Sequence, residues 1–206
     1  TKNQELTGEA KRQRAIITIL GSNVNPAERT RTGISQKIAK KQGITWKNIY
    51  SGIFRDLDEI LLPMGIAEEN GRLPLKRGPK ALQEKGIPYY HLTKKGVLVK
   101  LSINGVENMS SEFKKFFAES EPNEKKFETI LSKFMTNSPT FTYSIFQKYV
   151  KAFCEDKIKE LLPFDLSKLQ DIPDENLIIQ KEIILAFGKL SSKEKKEAIV
   201  FLEKIT

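Results

Sequence analysis

Cysteine and histidine are nearly missing from this chain of 206 residues, which holds one of each, Cys154 and His91. A single cysteine excludes an intramolecular disulfide, and with one histidine beside it no Cys/His zinc cluster can form within one chain. The two lie far apart in sequence, a poor arrangement for a Cys–His nucleophile pair. No stretch of about 18 apolar residues occurs, so nothing reads as a membrane span. Neither G-x-x-x-x-G-K-[ST] nor G-x-G-x-x-G occurs, which removes the familiar phosphate-cradling loops. Thr1 to Arg14 carries charge with no apolar core behind it and does not read as a signal peptide. The acids Asp56, Asp58 and Glu59 fall on one helical segment and read as a solvated face. These absences lead to the expectation of a soluble cytoplasmic protein with no catalytic residues, no metal and no cofactor.

What the sequence does have is positive charge. Lys plus Arg number 35 against 26 Asp plus Glu, a formal charge of +9, and 39% of residues are hydrophobic. That hydrophobic share suffices for a packed core, so global disorder is not expected. The charge is lopsided: residues 1–105 hold 19 basic and 9 acidic side chains, and residues 106–206 hold 16 and 17. An excess of +10 on one half beside −1 on the other suits a nucleic-acid-binding module joined to a neutral one.

Near Asn104 to Ser111 the composition changes, from short segments punctuated by Gly and Pro to long helical patterns. This places an N-terminal domain at 9–105 and a helical domain at 110–206. In the first, Glu9 to Leu20 reads as a helix closed by Gly21-Ser22-Asn23. Thr32 is the expected N-cap of a second helix, Gly33 to Gln42. Gly43 stands where a helix C-cap needs positive φ. Ile44 is expected to pack inward and Thr45 to cap a third helix, Trp46 to Leu62. Along it Ile49, Ile53, Leu57, Ile60 and Leu61 repeat at three- and four-residue spacing.

The other face of that third helix carries the chemistry. Lys47, Asn48, Ser51 and Arg55 line it, with Thr45 at its start and Trp46 and Tyr50 at its flank. In the major groove Asn pairs with adenine, Arg or Lys with guanine, and Ser with either a base edge or a phosphate. After Pro63 a hairpin is expected, from Gly65–Glu69 to Pro88–Leu92. Its long connection holds Arg72, Lys76, Arg77, Lys80 and Lys85 against the single acid Glu84. Such a basic loop can follow phosphates or enter a minor groove. Thr93 caps a fourth helix, Lys94 to Ile103, in which Gly96 is unfavourable.

The order of Ile38-Ala39, Gly43-Ile44-Thr45, Ile49, Leu57, Leu61 and Gly65-Ile66 resembles the archaeal and bacterial winged helix-turn-helix regulators. Tyr90-His91-Leu92-Thr93-Lys94-Lys95-Gly96 is similar to the Tyr-x-Leu-Thr-x-x-Gly element that ends their wing. The resemblance covers roughly residues 9–103. It implies binding of double-stranded DNA, as a homodimer, in transcription control and in association with the nucleoid. The insertion Leu73–Ile87 exceeds the usual wing, so wing contacts are not carried over.

The second half offers a core without a chemical motif. Expected helices are Ser111–Glu119, Asn123–Met135, Thr140–Leu162, Glu175–Leu190 and Ser192–Ile205. Eight phenylalanines (Phe113, Phe116, Phe117, Phe127, Phe134, Phe141, Phe146 and Phe153) fit the core of a small bundle; a face for dimerisation or a protein partner is the sharper alternative. Cys154 is expected to be buried and inert. The fold class is therefore mainly α (α+β), a winged helix-turn-helix followed by an all-α domain. The alternative to DNA binding is a winged-helix protein-interaction module in a replication, segregation or transcription assembly.

Overall fold

The first helix, α1 (Gly8–Ser22), turns Ile16, Ile17, Ile19 and Leu20 into the protein. In this computed structural model the described residues are 8–22, 24–74, 86–103 and 109–205. A 3-10 turn over Pro26–Arg29 leads into α2 (Arg31–Gln42). The cap of α2 is Thr30 rather than Thr32. Its hydroxyl accepts from the Gly33 amide at 3.0 Å, so the helix starts at Arg31, two residues before Gly33. Gly43 closes α2 at φ 68, the left-handed conformation that a residue without Cβ adopts at no cost.

Two expectations around this turn fail. Ile44 is 43% exposed, because the chain reverses before its side chain reaches the core. Thr45 makes no side-chain cap for α3 (Lys47–Arg55); only its backbone carbonyl accepts, from Asn48, at 3.0 Å. The third helix is also not uniform. From Asp56 to Leu61 it widens into a π-helical turn, with the Leu62 amide donating to the Leu57 carbonyl at 2.9 Å. The predicted apolar spacing survives, since Ile53, Leu57 and Leu61 are all buried.

Strands β1 (Ala67–Leu73) and β2 (Ile87–Leu92) pair antiparallel, Ala67 opposite Leu92 and Leu73 opposite Ile87, with an irregularity between Glu69 and Arg72. A single bridge joins Thr30 to Tyr89, so the segment before α2 lies along the hairpin. Helix α4 (Lys94–Leu101) follows, capped as expected by Thr93, whose hydroxyl accepts from the Gly96 amide at 3.1 Å. Gly96 has a structural reason. A Cβ there would stand 2.0 Å from the Ile66 carbonyl oxygen, so the strand entry and the helix approach this closely only with glycine between them.

Helices α5 (Met109–Ala118), α6 (Glu128–Asn137) and α7 (Pro139–Cys154) continue the same unit. Phe113, Phe116, Phe117 and Phe146 form its core with Phe164, whose ring lies within 6.0 Å of all but the first of them. Phe127 is exposed and Phe134, Phe141 and Phe153 are half-buried, so part of the phenylalanine set serves the surface. Helix α7 stops at Cys154, short of Leu162, and Cys154 is exposed rather than buried.

The chain divides at 166/167, giving one unit over residues 1–166 and a second over 167–206. That border falls well beyond the composition change near residue 105. The reason is that α5 and α7 pack on α4 and bury Lys100 beside Glu112, at 3.4 Å. The second unit contains α8 (Glu175–Lys189) and α9 (Ser192–Ile205). The described chain is thus mainly helical with a small two-stranded antiparallel sheet.

Candidate nucleic-acid interface

Helix α3 presents its polar residues as the spacing predicts. Thr45, Lys47, Asn48, Ser51 and Arg55 are exposed, while Trp46 and Tyr50 are half-buried and meet edge to face at 5.7 Å. This ring pair braces the first turn of α3, which has no side-chain cap of its own. Lys40 and Lys41, exposed in the last turn of α2, lie just before the Gly43 turn and add positive charge beside Lys47. Among the described residues none of these three lysines has an ion-pair partner.

The remaining cations of the set stand differently. Arg55 lies 3.6 Å from Glu9 in an exposed pair. Arg72 donates to both carboxylate oxygens of Glu69, at 2.6 and 3.0 Å, and is therefore committed within β1. Lys76, Arg77 and Lys80 lie outside the described residues, so the basic loop tip is not placed.

Behind α3, two arginines that no spacing rule singles out hold its orientation. Asp56 is fully buried and accepts from Arg12 of α1 at 2.5 and 3.0 Å. The expectation that Asp56, Asp58 and Glu59 form a solvated face is corrected at its first member. The hydrogen bond to Asp56 holds Arg12 still further toward its charged form, against the opposing effect of burial. Arg31 at the start of α2 donates to Asp58 at 2.5 Å. Its guanidinium also lies over Phe54, 4.5 Å from the ring centre, and over Tyr90, at 5.2 Å. Arg31 thus ties α2, α3, the π turn and β2 together. Burial pushes the Tyr90 hydroxyl above its ordinary value.

A cleft of about 440 Å³ lies between the end of α1, β2, α4 and α5. Polar side chains that line it have partners: His91 with Glu68 at 3.1 Å, Lys115 with Glu112 at 3.1 Å, and Lys94 with Glu124, behind the lining, at 2.5 Å. Glu124 also accepts from the Phe164 and Glu121 amides, each at 2.8 Å. Burial opposes its ionisation, but these donors outweigh burial and keep its carboxyl below the ordinary range. Glu124 thereby ties the start of α4 to the segments around Glu121 and Phe164. Among the described residues no group of three His, Cys, Asp or Glu could hold a metal ion. No helix among them is long and apolar enough to cross a membrane.

No protein-family model, no curated protein and no solved structure matches this chain.

Proposed function

We propose that residues 8–103 are a winged helix-turn-helix that binds double-stranded DNA, with the first half of α3 in the major groove, and that the protein regulates transcription. The observation that carries this is the exposed set Lys47, Asn48 and Ser51 on the helix that follows the Gly43 turn. These residue types suit base edges, and they sit where the second helix of such a motif offers them. The connection order supports the same reading: helix, a bridged segment at Thr30, two helices, then a hairpin whose second strand takes that bridge. Lys40 and Lys41 would neutralise phosphates beside the groove.

The alternative is a winged helix used as a protein-interaction module. The pairing of Arg55 with Glu9 and of Arg72 with Glu69 favours it, because both withdraw charge from DNA. Titration of the protein into labelled duplex DNA of mixed sequence at low salt separates the two. Binding at micromolar or lower concentration is expected, and its absence would overturn the DNA reading in favour of the protein-interaction one.

A further inference from the structure

Neither α8 nor α9 contains a buried residue among those described. Five large apolar residues of α8, from Ile178 to Leu185, and four of α9, from Ile199 to Leu202, are 41–60% exposed. Yet both helices are built to form. Asp174 caps α8 by accepting from the Leu177 amide at 3.0 Å. A capping box starts α9, with the Ser191 amide donating to Glu194 at 2.7 Å and the Glu194 amide to the Ser191 hydroxyl at 3.4 Å. Helices of 15 and 14 residues are marginal in water unless an apolar face is packed. The two cover each other little; where they meet, Lys195 lies over the Phe187 ring at 5.9 Å. At 3.6 residues per turn Leu177, Ile178, Ile179 and Phe187 fall on four different sides of α8, and a helix apolar on all sides is one that ends up enclosed.

We propose that residues 175–205 are a self-association surface on which α8 and α9 of two copies close into a four-helix bundle. Two observations select a second copy as the occupant. The nine half-exposed apolar side chains offer on the order of 800 Å², about what each partner contributes to a standard two-chain interface. Charge is the other. Residues 167–206 hold 7 Lys and 7 Asp or Glu, a net charge of zero, so the whole +9 lies on residues 1–166. Two copies therefore meet here without net repulsion, and neighbouring opposite charges such as Lys181-Glu182 and Lys196-Glu197 complement themselves across a two-fold axis. A strongly acidic or basic partner would call for the opposite excess, which this surface lacks. The surface stands without the DNA reading; only its consequence rests on it, namely that a two-fold axis would present two α3 helices to paired half-sites.

Light scattering of the full chain during size-exclusion chromatography tests the surface without DNA. A mass of twice 23.5 kDa is expected, and a single-chain mass at about 100 µM would overturn the proposal. The double variant Ile184→Glu, Val200→Glu is expected to halve that mass. A variant that stays dimeric would place the contact elsewhere and overturn the proposal too. This holds even if the two helices unfold in the variant, because a dimer formed by residues 1–166 would survive their loss. Hydrogen exchange gives a check that needs no variant. Amides of α8 and α9 should lose at least tenfold in protection in the monomeric range of a dilution series, with those of α1 to α4 unchanged; equal behaviour of both regions would refute the assignment.

Discussion

Asn48 on α3 and Arg77 in the basic connection should respond differently to substitution. An amide that pairs with adenine discriminates among bases, so Asn48→Ala is expected to narrow the gap between preferred and mixed sequence by roughly 1–3 kcal/mol. Arg77→Ala, in the basic loop, should weaken binding to every sequence alike. Competition titrations with two duplexes measure both, and the reverse pattern would exchange the roles of helix and loop. Lys100 allows a residue-scale test independent of DNA. Burial holds its ammonium below the ordinary value of 10.5, and Glu112 offsets this only in part. The folded chain therefore releases this proton before the unfolded chain does. The unfolded state binds more protons in the interval up to 10.5, and stability contributed by this group rises with pH across it. Glu112 keeps Lys115 at 3.1 Å when Lys100 is replaced. Lys100→Met should therefore be within about 1 kcal/mol of the parent near neutral pH, or more stable, and should lack the alkaline rise. A parent–variant difference in unfolding free energy that stays flat with pH would contradict this.

Between elements, ion pairs distant in sequence decide how α3 is held. Arg12 on α1 and Asp56 at the end of α3 meet with Asp56 fully buried. Asp56→Ala removes the acceptor and strands a partly buried guanidinium, which should cost about 3 kcal/mol in urea unfolding. Arg55→Ala breaks an exposed pair and should cost under about 1 kcal/mol. Equal losses would mean that the Arg12–Asp56 pair does not anchor the helix. The elements legible in the sequence are those whose signals are local. Gly43, Thr93 and Asp174 mark helix ends through their own backbone or side chain, and the spacing of Ile53, Leu57 and Leu61 marks the buried side of α3. The Arg12–Asp56 and Glu124–Phe164 contacts join residues 44 and 40 positions apart, and no periodicity encodes such a meeting. The same holds for the end of α7 at Cys154, since the segment after it folds back to put Phe164 among the other rings.

For the whole molecule, charge is the property that a measurement reads most directly. If the lysines around α3 and the basic loop together neutralise about six phosphates, log affinity should fall with log salt at a slope of roughly −5. A slope near zero, measured from about 50 to 200 mM salt, would mean that the +9 excess does not face the nucleic acid. The border at 166/167 sharpens where that excess sits. It lies wholly on the first unit, and the second has no net charge and exposes large apolar side chains between its charged ones. A boundary near residue 105 was the composition's natural suggestion, because composition registers a change in local texture. Packing follows contact, and the contact between α4 and α5 crosses that change.

By itself the sequence determined where most helices lie, the hairpin, the caps at Gly43 and Thr93, the polar face of α3 and the lack of any Cys/His metal cluster. Each follows from residue type and short-range spacing. Only the tertiary structure decided that Asp56 is buried against Arg12, that Arg31 joins four elements, that Glu124 organises three segments, and that Gly96 is the one residue type the Ile66 carbonyl leaves room for. It also decided that large apolar residues of α8 and α9 are left open while Phe113, Phe116 and Phe117 of α5 and Phe146 of α7 are enclosed. Hydrophobic spacing states that a face must be covered; which partner covers it depends on where the rest of the chain goes.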